Sequence, residues 1–294
     1  FIALPYSEPA QHQFEPGSPF YNVSAAVHLE GRLDGLALVR SLREMVARHE
    51  TLRTTFVAVD GRPRQRIAPQ GEIELQLIDL NGSPAEHRQQ EVQGWASEEA
   101  RRPFDLERGP LLRGRLLQLG PDEHVLLLAT HHIISDGWSL GVFVREAAAL
   151  YAASVRGEPS PLPELAIQYA DYAVWQRHWL SGETLEAQLA YWTEQLVDLS
   201  TLRLPTDHPR PDTQSFRGSR RSITLPKSLA EAIKTLSRQT QVTPFVTLVA
   251  AFMTLLHRLT GQDDIAVGTG IANRNYRELE GLIGFFVNAL VLRG

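Results

Sequence analysis

The chain has 294 residues, 43% hydrophobic and 21% charged, with a net charge of −5 and a pI near 6.1. That length supports two core-forming units, and the acidic balance offers no basic footprint for nucleic acid. With no cysteine, the chain has neither disulfides nor thiol catalysis; this suits a reducing compartment, so the expected location is cytoplasmic.

The first twenty residues are rich in proline, with Glu15-Pro16-Gly17-Ser18-Pro19 reading as a loop. No secretory pattern opens at Phe1, and a chain beginning without Met is expected to be part of a longer one. Residues 21–30 alternate as a strand, and residues 33–49 carry Leu36, Leu38, Val39, Leu42, Met45 and Val46 at helical spacing. Arg48-His49-Glu50-Thr51-Leu52-Arg53-Thr54-Thr55-Phe56 leads that helix into a strand. Asp60-Gly61 marks a hairpin, with residues 64–68 as its return. Residues 72–80 form a half-buried strand and 85–101 a helix. Pro103-Phe104-Asp105-Leu106 is a break before strands at 111–119 and 123–130. Gly157-Glu158-Pro159-Ser160-Pro161-Leu162-Pro163 is a semi-rigid linker.

Beyond the linker, residues 169–199 read as helical, and the stripe Tyr172, Trp175, Trp179 reads as core. A second proline-rich crossing spans 205–211. Residues 222–225 are expected as a strand, 229–240 as a helix, and 264–269 and 285–292 as strands. The longest apolar stretch, 242–256, holds Pro244 and three threonines; it is too short for a bilayer and reads as a buried helix. Strands interleaved with helices predict a layered α/β sandwich, divided into residues 1–168 and 169–294.

The chemistry concentrates where the strand at 123–130 gives way to His131-His132-Ile133-Ile134-Ser135-Asp136-Gly137-Trp138-Ser139 and then to a helix from Leu140. Strand ends place side chains rigidly while loops admit substrate. Adjacent strand residues point to opposite faces, so one histidine at a time faces a given cavity. The pair is therefore unsuited to metal binding, which wants converging ligands. A lone imidazole suits general-base work near neutral pH. Asp136 either orients a histidine or pins the turn through a buried arginine, and Gly137 leaves backbone bare for a passing chain.

The His-His-x-x-x-Asp-Gly string resembles the signature of condensation domains of nonribosomal peptide synthetases, within the chloramphenicol-acetyltransferase-like acyltransferases. Further stretches resemble that family's motifs in order: residues 48–56, Tyr169-Ala170-Asp171-Tyr172-Ala173-Val174-Trp175, and Ile283-Gly284-Phe285-Phe286-Val287-Asn288, with Ala289 where Thr is common. Pro103-Phe104-Asp105-Leu106 with Gly109-Pro110-Leu111-Leu112-Arg113, and Gly268-Thr269 with Ala272-Asn273-Arg274, also match. The first motif departs: Ser7-Glu8-Pro9-Ala10-Gln11 runs into His12-Gln13-Phe14 without Arg-Leu-Trp. The chain ends at Gly294 before two further motifs, so an incomplete second lobe is expected.

The resemblance implies a two-lobed chloramphenicol-acetyltransferase-like α/β sandwich with a tunnel between its lobes. It implies amide formation, in which an acceptor amine on one carrier protein attacks a donor thioester on another. It implies no bound cofactor or metal, substrates presented on phosphopantetheine arms, and upstream and downstream peptidyl carrier proteins beside an adenylation domain, with no nucleic acid or membrane partner. By the same resemblance His132 is the catalytic residue, as base or as positioner of the amine. His131 is a packing residue, the Gly137 amide is a candidate oxyanion donor, and Asp136 is structural, with Arg48 or Arg53 as its ion-pair partner. The Arg48-His49-Glu50 form resembles domains that accept an L-configured donor. A non-catalytic recruitment module of the same fold and an epimerisation relative are the alternatives. Asn288, an unfavourable strand residue behind Gly284, is expected buried at the lobe junction or tunnel, bonded to a crossing segment.

Overall fold

The computed structural model describes residues 18–209 and 221–294. The departing first motif at 7–14, and part of the crossing at 205–211, lie outside them. Two compact units result: residues up to Ser181 with Ala272–Val287, and Gly182–Ile271 with Asn288–Gly294. The expected single break at residue 168 is thereby corrected. The chain leaves the first unit after Ser181 and returns to it for sixteen residues, which local composition at the proline-rich linker does not reveal.

The first unit is built on a four-stranded sheet of order β1 (Asn22–Glu30), β6 (Glu123–His131), β5 (Leu112–Gly120), β4 (Glu74–Asp79). β4 and β5 are parallel and the other pairs antiparallel. Alternation along the two central strands serves two cores. Leu116, Leu126 and Leu128 join Leu42 and Met45 of α1 (Gly35–Arg48) and Val142, Phe143 and Leu150 of α3 (Gly137–Arg156). Leu117, Leu119, Val125 and Leu127 join Val92 and Trp95 of α2 (Ala85–Arg101). A strand covered on both faces is apolar at nearly every position, which explains the continuous Val/Leu run before the two histidines. β2 (Thr54–Val59) and β3 (Arg62–Ile67) form the hairpin at Asp60-Gly61, where both φ angles are positive (52° and 71°) as a tight I′-type turn requires.

The helical stretch after the linker divides. α4 (Tyr169–Trp179) belongs to the first unit, and α5 (Gly182–Gln195) starts the second at a left-handed Gly182. Tyr172 is buried, but Trp175 and Trp179 are 40% and 48% exposed, which corrects their assignment to the core. Their rings stack on one another at 5.7 Å and Tyr276 meets Trp175 edge-on, so the stripe shields its own outer face.

The second unit holds α5, α6 (Lys227–Gln239), α7 (Pro244–Thr260) and an antiparallel pair, β7 (Ala266–Ile271) with β8 (Asn288–Arg293). The expected strand at 222–225 is absent, since no neighbour pairs with it among the described residues. α7, expected as a buried helix, buries Leu256 and exposes Phe245, Leu248, Phe252, Leu255 and Leu259. Two strands do not cover a helix that is apolar all round.

Candidate active site

Asp136 organises the turn. As N-cap of α3, its Oδ1 accepts from the Ser139 amide at 2.8 Å, which satisfies an open helix donor. Oδ2 accepts from the Phe286 amide at 3.0 Å, and Arg274 Nη2 lies 3.2 Å from Oδ1, both side chains being almost wholly buried. Arg274 also donates to the Leu279 and Leu282 carbonyls and to Ser139 Oγ, and its guanidinium lies 4.0 Å from the centre of the Phe286 ring. Burial pulls the Arg274 pKa below the ordinary arginine value, and Asp136 opposes that pull.

The expected partners of Asp136 are thereby corrected. Arg48 and the buried His49 both reach Glu146 Oε2, at 3.1 and 2.8 Å, joining α1 to α3. Burial pushes the Glu146 carboxyl up, but His49 and Arg48 outweigh it and hold the group below its usual range. Arg53 pairs with Glu50 at 3.3 Å and donates to the Ala68 carbonyl. The resemblance pointed to the two arginines of residues 48–56. Arg274, although noted within a matched segment, comes from the returning 272–287 stretch.

That stretch is woven onto the turn. The Gly284 amide donates to Ser139 Oγ at 3.1 Å, Tyr169 Oη donates to the Phe285 carbonyl at 2.9 Å, and Thr51 Oγ1 donates to the Ile283 carbonyl at 2.9 Å. Trp138 Nε1 donates to the Glu280 carbonyl at 2.9 Å. A Cβ on Gly284 would stand 2.3 Å from the Tyr169 ring, so the bare backbone there does accommodate a close neighbour. Gly137 is exposed, and a Cβ there meets nothing within 4 Å.

The two histidines diverge. His131 is buried, its ring near Tyr21 and edge-on to Phe104, which in turn carries Arg113 at 3.7 Å. His131 Nδ1 accepts from the Ile133 amide at 3.1 Å and so caps the short 3₁₀ turn His132–Ile134. Accepting requires a neutral ring, and burial, reinforced by the charge of His132, pushes the His131 pKa down to about 4. His132 is half-buried, edge-on to Phe285 at 4.8 Å, with its amide held by the Tyr21 carbonyl. Its Nδ1 lies 2.7 Å from the Ser135 carbonyl oxygen. A carbonyl only accepts, so Nδ1 carries the proton of the neutral ring and Nε2 keeps the lone pair. Among the described residues Nε2 has no hydrogen-bond partner.

Asn288 is not buried as expected. It is exposed at the start of β8, with Oδ1 accepting from the next amide, Ala289, at 2.9 Å. The first residue of a short outer strand keeps its amide in water, so no crossing segment is required to satisfy it. Sequence reading also passed over Ser139 and Tyr169. Asp136 ahead of an apolar helix is an N-cap signal, which places the Ser139 amide as its donor; Tyr169 opens a matched stretch but nothing local assigns it a partner.

A family model described as "Condensation domain" matches residues 8–294. A linear gramicidin synthase of Brevibacillus parabrevis is 50% identical over 279 residues, covering 95% of this chain but 4% of that protein. Among solved structures, the X-domain from teicoplanin biosynthesis superposes with a TM-score of 0.86 at 28% identity, covering 97% of this chain and 63% of that one. The first condensation domain of the calcium-dependent antibiotic synthetase, in complex with a substrate analogue, superposes with a TM-score of 0.78 at 28% identity, covering 97% and 65%. The α/β, chloramphenicol-acetyltransferase-like class expected from the sequence is thus the class of its structural neighbours. No single described helix is long and apolar enough to cross a membrane.

Proposed function

Since the chain belongs to the condensation-domain family, we propose that it forms an amide between two carrier-bound substrates. The acceptor's free amine attacks the carbonyl carbon of the donor thioester. A C–N bond forms, the C–S bond breaks, and the donor's phosphopantetheine thiol leaves. His132 Nε2 takes the proton released by the amine and returns it to the departing thiolate. The observation that carries this reading is the contact of His132 Nδ1 with the Ser135 carbonyl, which leaves the Nε2 lone pair for a proton.

Little more is demanded of the protein. An α-amine with a pKa of about 7.7–8.0 is partly neutral at pH 7, and a thioester is already an activated acyl donor. Holding the two together supplies up to about 7–11 kcal/mol, and a general base adds about 10²–10⁴-fold. Phosphopantetheine acts here as the tether of both substrates. Peptidyl carrier proteins and an adjacent adenylation domain are the partners this reading implies. Acceptance of an L-configured donor rests on Arg48-His49-Glu50, whose first two side chains are both engaged by Glu146.

The test is intact-mass spectrometry after mixing the chain with aminoacyl-loaded donor and acceptor carriers. Acceptor carrier heavier by the donor acyl group is the expected product. Similarity to an X-domain favours a second reading, recruitment of a partner without chemistry. Carrier binding with no mass transfer would select it.

A further inference from the structure

The carbonyl that holds His132 belongs to a residue whose own side chain is tied to the sheet. Ser135 is buried, its Oγ lies 2.5 Å from Thr130 Oγ1, and its amide returns to the His132 carbonyl. Thr130 sits on β6, flanked in register by Val23 of β1 and Leu112 of β5. Thr130 and Ser135 line a cavity of about 20 Å³ whose wall is otherwise mostly apolar, with Val23, Leu112, Leu128 and Phe143 in it. A hydroxyl in such a wall has few other partners, so the pair is a tie rather than one of several interchangeable contacts.

We infer that Thr130 and Ser135 are positioning residues for His132. Their hydroxyl pair anchors the Ser135 peptide to the central strand, and the Ser135 carbonyl holds the imidazole as its Nδ1–H tautomer. The inference rests on the catalytic reading of His132 and deepens it. Which imidazole nitrogen carries the proton is set by the hydrogen bond made by the other. Without the tie, part of the population carries the proton on Nε2 and accepts none from an amine. Both residues act through the carbonyl, not on the substrate.

The experiment uses the full chain labelled with ¹⁵N-histidine, the His132 signals being assigned by their loss in His132→Ala. In the wild type at neutral pH, Nδ1 should show the protonated and Nε2 the unprotonated resonance. In Thr130→Val and Ser135→Ala the pattern should move towards a mixture of tautomers, and Thr130→Ser should restore it. With loaded carriers, kcat should fall about three- to thirty-fold in the first two variants with KM nearly unchanged, a part of the about 10²–10⁴-fold that a general base supplies. An Nε2–H pattern in the wild type overturns the inference, as do folded variants that keep the wild-type resonances and kcat. Where a variant fails to fold, an Nε2–H pattern in the wild type still overturns the inference. The spectra also separate the two ideas: the expected wild-type and variant resonances in a chain that transfers no acyl group would sink the function and uphold the tie.

Discussion

Replacing Arg274 with methionine should loosen the active-site turn without unfolding the sheet beneath it. The Asp136 carboxylate is 3% exposed, and besides Arg274 it accepts from the Ser139 amide, the Ser139 hydroxyl and the Phe286 amide. Breaking a buried ion pair by removing one partner costs about 3–5 kcal/mol. Three donors remain to the carboxylate, so the lower end applies, about 3 kcal/mol. Asp136→Asn should cost more, because its amide nitrogen must face a guanidinium or a main-chain N–H. The double variant should cost less than the sum, with a coupling of about 1.5–3 kcal/mol, the range for hydrogen bonds to charged groups. Hydrogen exchange of the Gly284 and Phe286 amides reads this locally, without requiring the two units to unfold together. Their protection should drop in Arg274→Met while the amides of β5 and β6 hold. A cost under about 1 kcal/mol, the range of an exposed pair, or strict additivity of the two changes, would refute the reasoning.

Three further outcomes follow from the same geometry. His131 has a folded pKa of about 4 against an ordinary 6.5. The stability gained by keeping it neutral is therefore present above pH 6.5 and lost as pH falls towards 4, about 3 kcal/mol in all. His131→Asn, which keeps a cap acceptor but does not titrate, should flatten that part of a urea-denaturation pH profile. Gly284→Ala puts a methyl 2.3 Å from the Tyr169 ring, so its Tm should fall with a loss of at least about 1–3 kcal/mol; an unchanged Tm would contradict the close approach. Tyr172→Ala should cost about 3–5 kcal/mol as a buried aromatic, and Trp179→Ser about 1 kcal/mol, the worth of an exposed stacked pair. Equal costs in thermal melts would put both residues back in one core.

What the sequence showed well is what local pattern encodes. The two-faced strands β5 and β6, the Asp60-Gly61 hairpin, the turn after the second histidine and the helix behind it were all legible from residue spacing. What it hid depends on chain crossings. Asp136 needed a buried cation, and the family resemblance pointed to Arg48 and Arg53, which instead serve Glu146, Glu50 and the Ala68 carbonyl. The partner lies 138 positions away. Trp175 and Trp179 carried a helical stripe that spacing alone does not distinguish from core, and they cover one another at the surface. At Gly284 the Tyr169 ring stands close against the bare backbone. The expected burial of Asn288 four residues on fails, because it opens β8 exposed, with the next amide as its partner.

The central claim is that His132 Nε2 takes the proton of an attacking amine. Its most direct measurement is single-turnover formation of the carrier-tethered amide, followed by intact mass, for the wild type and His132→Ala at equal carrier concentrations. The account predicts product from the wild type, and a rate about 10²–10⁴-fold lower from the folded variant, the share a general base supplies. A folded His132→Ala chain that forms amide at the wild-type rate would contradict it.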